Sequence, residues 1–353
     1  MGNKKIKIKL NGFHGEYKND SEYFEKFFPI RVLKDNFDVE FVENVEEADV
    51  ICENCTRGSN YNFLDEKEKT IILFSAEDLF KKRDIFNLIE SFFHKIGFKE
   101  RKWEIMDKID SIIPHFISSI PIMYFLSKHL KFIKIIIKGK VKNAYAIVQN
   151  DLKGENIFVL PCFFYTLYYQ LPKLIKKNHE NLKNREKFCA FIVSSNSSRE
   201  RVKFFKKLSK YKKVDSYGKV QNNMGDQIFG KRWSTNVDLY KNYKFVICFE
   251  NNFAKRYICE KLHNTMFSGA IPIYRGAPDI GDYFNTKSFI NYDDYGSYDK
   301  MIKKIIELDK DDKKYMKIAN EPWFVDNKIP KIFKEKGKEL IEFYRKILNG
   351  IKK

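Results

Sequence analysis

Between residues 245 and 291 the chain reads KFVICFENNFAKRYICEKLHNTMFSGAIPIYRGAPDIGDYFNTKSFIN, and the residue types in this stretch point to phosphate chemistry. An apolar strand ends at Phe249 and a polar loop follows. A helix is predicted to start near Cys259 and to stop at Gly269, which lacks the Cβ that opposes a left-handed cap. Glu260 and Lys261 then occupy the first turn of that helix. Unpaired amides and the positive end of the helix dipole attract a phosphate there, and Lys261 adds a full charge. Glu260 would repel the same phosphate unless it faces sugar hydroxyls, the role an acidic residue takes on ribose in dinucleotide sites. A ligand carrying both a diphosphate and a sugar satisfies the two residues together. Taken alone, an acidic residue beside a lysine at a helix start is also ordinary capping, so the pair has to be read with its surroundings.

Those surroundings are the string Phe249-Glu250-Asn251, then Tyr257, the pair Glu260-Lys261, GAIPIYRGAP and SFIN. The string resembles the signature of glycosyltransferase family 10, the α-1,3-fucosyltransferases, and the resemblance extends in broken form over residues 70–291. Upstream, Ser195-Asn196, Arg201, Phe204-Phe205 and the turn Val214-Asp215-Ser216-Tyr217-Gly218 are similar to the family's second donor-binding segment. FSAED at 74–78 resembles the segment whose glutamate is the catalytic base. The resemblance implies that Arg201 and Lys261 hold the phosphates of GDP-fucose, that Glu250, Asn251, Tyr257 and Glu260 line the donor pocket, and that Glu77 is the base. From the residues alone, Glu77 also reads as a helix-start carboxylate with Ser75 as its cap. The chain departs from the family pattern at Asn252, at Ala254, Lys255 and Arg256, and at Cys259, where a hydroxyl residue is usual.

The implied reaction is an inverting displacement: Glu77 takes a proton from a hydroxyl of a GlcNAc- or Glc-containing oligosaccharide, the oxygen attacks the fucose anomeric carbon, and GDP departs. An α-1,3 linkage is expected. Lys261, Arg201 and the helix amides would meet the charge growing on the leaving group, so no cofactor or metal is required beyond the donor itself. The nearest DxD-like pair, Asp309 and Asp311 in LDKDDKK, sits among lysines and reads as solvated surface. One alternative is a transferase of the same fold using another nucleotide sugar. The other is a non-enzymatic binder of polyanions or membrane surfaces, which rests on charge.

That charge is large. Lys and Arg number 66 against 47 Asp and Glu, a formal +19 over 353 residues, which favours an anionic partner but does not choose among them. No RNA-recognition signature, zinc finger or repeat is present, so a nucleic-acid partner is not expected. With 43% apolar and 16% aromatic residues the chain is not of the disordered class. Six cysteines lack the density of a disulfide-stapled domain and read as reduced. MGNKKIKIKL carries no secretion-type apolar core, and the most apolar stretch, 112–126, is too short to span a bilayer, which places the expected location in the cytoplasm or at the inner membrane face.

The elements that must position these residues are legible as apolar runs bounded by turns. KIKIKL, DVEFV, ADVIC, TIILFS, AYAIV and NIFVLP read as buried strands in the first half. The second half alternates strand and helix from KFCAFIV through RERVKFFKKLSK, VDSY, KFVICFE, CEKLHNTMFS and AIPIY, the pattern of a parallel doubly wound sheet. The expected fold class is therefore α/β, and the resemblance implies the GT-B type, with two Rossmann-like domains. Residues 1–165 are expected to form an acceptor-binding domain carrying a helical insertion at about 79–140. A linker at 166–186 leads to a GDP-fucose-binding domain at 187–325, and a basic amphipathic helix follows at 326–353. The apolar stripe of that last helix fits docking on the protein or peripheral contact with an anionic membrane equally well.

Overall fold

The computed structural model describes residues 5–11, 27–54, 69–75, 143–148, 153–175, 185–194, 198–225 and 235–351. The expected insertion at 79–140 and the candidate residues Glu77, Ser195 and Asn196 lie outside these residues. The chain divides into two units, one of residues 1–12 and 40–159, the other of residues 13–39 and 160–353.

The first unit is built on a sheet of β1 (Ile6–Asn11), β2 (Val39–Val42), β3 (Val50–Asn54), β4 (Thr70–Ser75), β5 (Ala144–Val148) and β6 (Ile157–Val159). Its strand order is β2-β1-β3-β4-β5-β6, and the pairs from β1–β3 to β5–β6 are parallel. Val50, Ile51, Ile71, Ile72, Ala146 and Ile147 are fully buried, as expected of strands covered on both faces.

The second unit is built around a sheet of β7 (Lys187–Phe191), β8 (Val214–Ser216), β9 (Tyr243–Phe249), β10 (Ile271–Arg275) and β11 (Ile290–Asn291) in the order β11-β10-β9-β7-β8. All four of its strand pairs are parallel. The chain steps from β7 to β8 on one side and then returns to β9, β10 and β11 on the other. The order therefore reverses between β7 and β9, and such a reversal opens a crevice at the strands' carboxyl ends. Helices of this unit are α1 (Phe28–Asn36), α2 (Phe164–Leu167), α3 (Leu171–Ile175), α4 (Arg199–Leu208), α5 (Thr235–Tyr240), α6 (Glu260–Ser268), α7 (Tyr298–Lys310), α8 (Asp312–Ala319) and α9 (Lys331–Ile351). Phe188, Phe191, Phe204, Phe245, Phe249 and Ile273 form the centre of its core.

The domain limits differ from the sequence expectation. The segment read as a linker from 166 begins instead as α2, a 3₁₀ turn and α3, and Phe163, Phe164, Tyr165 and Leu167 are buried. The lysines from Lys173 onward give the stretch its polar character, but the aromatic run before them has to be buried, and it packs with α1. Phe28 lies 4.0 Å from Tyr168 and 5.9 Å from Phe164 between ring centres. Residues 13–39, expected in the first domain, accordingly belong to the second unit.

The terminal helix resolves its two readings through packing. Phe333 stacks on Phe164 at 4.8 Å, Tyr344 meets the edge of Phe37 at 6.4 Å, and Leu340, Ile347 and Leu348 are buried. The stripe is covered by the protein itself, with Lys331, Lys334, Lys338 and Lys346 on the exposed side. No described helix is long and apolar enough to cross a membrane. Truncation of Phe333 to alanine is expected to destabilise the protein by ~3–5 kcal/mol, measured as a shift in the urea midpoint.

Candidate functional site

The carboxyl ends of β7 and β9 carry the residues singled out above. Phe249 ends β9 in register with Arg275 at the end of β10, and the Glu250 amide donates to the Arg275 carbonyl at 2.8 Å. The sheet thus continues one hydrogen bond beyond β9 and delivers the Glu250 side chain to the crevice floor. There it is fully buried. One of its oxygens accepts the Cys259 amide at 2.7 Å, and the other lies 3.4 Å from the Lys261 ammonium.

Helix α6 begins as the sequence suggests. Cys259 is its N-cap in extended conformation and Gly269 its C-cap at φ 74°, a left-handed value that favours glycine. Cys259 offers no hydroxyl to the first turn, and the Glu250 carboxylate instead accepts the amide of the N-cap residue itself from outside the helix. Glu260 and Lys261 stand in the first turn, 3.7 Å apart, and their side chains are 28% and 17% exposed, so both reach the crevice surface. Leu262, Met266 and Ser268 face inward, and the Thr265 hydroxyl bonds the Lys261 carbonyl at 2.8 Å.

Arg201 arrives from the other side of the reversal, in the first turn of α4. It shares one helical stripe with Phe204, Phe205 and Leu208, all buried in the core, and this stripe carries the guanidinium inward until Arg201 is 1% exposed. Burial lowers its affinity for the proton, and the nearby Glu250, Tyr257 and Glu260 oppose that effect. Burial likewise pushes the Glu250 carboxyl above its usual range against the pull of Lys261. Burial would also raise Glu260, yet Lys261 and the residue's own backbone amide hold it below its ordinary value. For Lys261 burial favours the neutral amine, but Glu260 and Glu250 outweigh it and keep the ammonium charged.

Two cations and two carboxylates therefore share a helix N-terminus with little water. Replacing one carboxylate's hold on a cation by a ligand phosphate costs far less here than stripping a cation from bulk water. Asn251 adds a buried side-chain oxygen with no hydrogen-bond partner among the described residues, a group able to accept an N–H or O–H. Tyr257 is buried beside this group. Arg201, Glu250, Asn251, Tyr257, Glu260 and Lys261 are thus brought together. Glu250 differs from the expected lining role in one respect, because its carboxylate lies beneath the crevice surface and holds Lys261 and α6 in place.

Three contributors were not singled out from sequence. Gly276 lets the chain pass over Glu250: a Cβ there would fall 2.6 Å from Glu250 Cγ and also collide with the Tyr274 ring. His263, one turn after Glu260, is buried, and its Nδ1 has no partner among the described residues. Arg275 ties β10 to α4 through Glu200 at 2.8 Å. The signals were the RGAP turn after a strand and the i,i+3 spacing from Glu260. The acidic pair considered for a metal is otherwise engaged: Asp309 accepts from Tyr211 at 2.9 Å and Lys212 at 3.0 Å, and Asp311 caps α8.

Residues 182–341 match the family described as Glycosyltransferase family 10 (fucosyltransferase) C-term. The chain is 31% identical over 144 residues to the alpha-(1,3)-fucosyltransferase FucT of Helicobacter pylori, an alignment covering 41% of this chain and 29% of that protein. It is 32% identical over 140 residues to the 4-galactosyl-N-acetylglucosaminide 3-alpha-L-fucosyltransferase 9 of Bos taurus, covering 39% of this chain and 37% of that protein. The matched region thus spans about a third of the length of these curated relatives. A crystal structure of an alpha1,3-fucosyltransferase with GDP-fucose superposes with a TM-score of 0.60 at 19% identity, covering 99% of this chain and 92% of that one. The fold is the two-sheet α/β architecture of those structures, the GT-B type.

Two outcomes follow from the geometry. Gly276→Ala is expected to overpack the Glu250 pocket and destabilise the protein by ~1–3 kcal/mol in urea unfolding. Burial lowers His263 to about 4 from an ordinary value of 6.5. Between these values only the unfolded chain binds the proton, so stability should fall as the pH drops through that window, by up to about 3 kcal/mol. His263→Leu should flatten that part of the melting-temperature profile, and an unchanged slope would exclude His263 as its source.

Proposed function

We propose, from the match of residues 182–341 to the family described as Glycosyltransferase family 10 (fucosyltransferase) C-term, that the chain is an inverting fucosyltransferase that moves L-fucose from GDP-fucose to a hydroxyl of a GlcNAc- or Glc-containing oligosaccharide, forming an α-1,3 linkage. The observation that carries this reading is the convergence of the buried Arg201 and the partly exposed Lys261 on the first turn of α6, where the strand order reverses. Such a place suits a nucleoside diphosphate by charge, by dipole and by topology. Glu260, at the rim, suits hydroxyls of the nucleotide's ribose or of the transferred sugar, and the Asn251 oxygen suits an N–H or O–H donor of the same ligand.

In the displacement, the acceptor oxygen loses its proton to the Glu77 carboxylate and forms a bond to the anomeric carbon while the bond from that carbon to the diphosphate oxygen breaks. The electron pair leaves with GDP. Arg201, Lys261 and the α6 amides are fixed before the reaction and aimed where this negative charge grows, which is how a preorganised site lowers a barrier. Glu77 enters through the resemblance of FSAED to the family's base segment, two residues after β4 ends in the sequence.

A thermal-shift panel with GDP, UDP and ADP tests the donor: a ligand at a hundredfold over its dissociation constant stabilises by ~2.7 kcal/mol. GDP is expected to act selectively, and stabilisation by UDP with none by GDP would assign another donor. Lys261→Ala and Arg201→Ala should each weaken GDP binding about 10- to 100-fold. Glu77→Ala should instead lower fucose transfer by ~10²–10⁴ with GDP affinity nearly intact. Near-normal transfer by that variant would remove Glu77 from the base role.

A further inference from the structure

Among the described residues, the large hydrophobic side chains left exposed are Phe253, at 37%, and Val325. Phe253 stands on the loop between β9 and α6, three residues after Glu250 and eight before Lys261. It is therefore part of the segment that carries the site. Its backbone amide is bonded by the Asn252 side chain at 2.9 Å, and the Arg275 guanidinium lies over its ring, 4.4 Å from the centre. The same guanidinium lies 4.1 Å from the centre of the Tyr292 ring, bonds Glu200 at 2.8 Å and contacts the Tyr298 hydroxyl. Phe253 is thus held on a built support.

A single partly exposed phenylalanine is ordinary on a protein surface. What distinguishes Phe253 is that it lies on the loop joining Glu250 to Lys261 and has one face held by Arg275, which leaves the rest of the ring open to a molecule bound at that loop. The electronics select the occupant. A cation against one face of an aromatic ring draws on its negative quadrupole and leaves the ring poorer in electron density. The C–H groups of a sugar carry partial positive charge and prefer an electron-rich face. An electron-rich planar purine prefers the opposite, and guanine suits this ring well.

We propose that Phe253 is the stacking platform for the base of the nucleoside diphosphate, with Arg275 as the residue that positions it. The platform would favour a purine over a pyrimidine because the overlap is larger. This assignment rests on the reading of the crevice as a nucleotide site and adds a determinant from outside the resemblance, which covers Glu250, Asn251, Tyr257, Glu260 and Lys261 but not Phe253.

The test is isothermal titration calorimetry on the full chain with GDP, UDP and inorganic pyrophosphate, comparing wild type with Phe253→Ala, Phe253→Leu and Phe253→Trp. Removing a stacking ring is expected to raise the dissociation constant for GDP roughly 5- to 150-fold. The loss should be seen with Leu as well as Ala, be recovered by Trp, and lower the ratio of GDP to pyrophosphate affinity. Equal weakening of GDP and pyrophosphate, or full GDP affinity in Phe253→Ala, would overturn the platform while leaving the nucleotide site in place. Tight binding of UDP and none of GDP by the wild type would refute the fucosyl donor, and the Phe253→Ala effect on UDP would still decide the stack. Binding of no nucleotide by the wild type would overturn both.

Discussion

One carboxylate without solvent contact sets the geometry of the site. Glu250 holds the Cys259 amide with one oxygen and the Lys261 ammonium with the other. The first bond caps a helix whose own N-cap residue provides no side-chain acceptor, and the second fixes where the helix's cation can point. Removing this group would leave the buried Cys259 amide without its acceptor and the Lys261 ammonium with Glu260 as its remaining carboxylate, which is the costly direction for buried polar groups. The surrounding sequence protects it. Gly276 has no side chain to displace it, Tyr274 is fully buried beside it, and the bond from its amide to Arg275 continues the β9–β10 ladder.

Buried groups of opposite sign seldom raise stability by themselves, because the desolvation of each ion offsets much of the attraction. Their concentration at one end of one helix, together with a lone acceptor on Asn251, is therefore better explained by ligand recognition than by folding. The second unit obtains its stability elsewhere, from the aromatic and aliphatic cluster around Phe204, Phe245 and Ile273. This separation lets the crevice keep an arrangement of charges that folding alone would not favour.

Much of this was readable in the sequence. Apolar runs such as TIILFS and KFVICF are strands because both faces of a parallel sheet are covered, and the start and stop of α6 followed from Cys259, Glu260 and Gly269. Arg201, Glu250, Asn251, Tyr257, Glu260 and Lys261 lie within two short segments, so their proximity required only the correct strand order. Other features depended on three-dimensional context. The lysines after Leu171 suggested a linker, whereas the aromatic side chains before it are buried by a helix from residues 28–36, far away in sequence. The depth of Glu250 was hidden because glutamate at a strand end is ordinarily solvated. The anchoring of Phe253 by Arg275 was hidden because a single aromatic in a polar loop carries no periodic signal.

The path of the chain has a consequence for how this protein can be divided. Helix α1 near the amino terminus and helix α9 at the carboxyl terminus lie against the same aromatic layer of the second unit, where Phe28 covers Tyr168 and Phe37 meets Tyr344. A gene fragment that starts after residue 159 would lack the amino-terminal half of that clasp and expose rings otherwise shielded from water. The second unit is therefore not a cassette to be excised or grafted by cutting the chain once. Recombination that exchanges it intact has to carry over two separated stretches of sequence together.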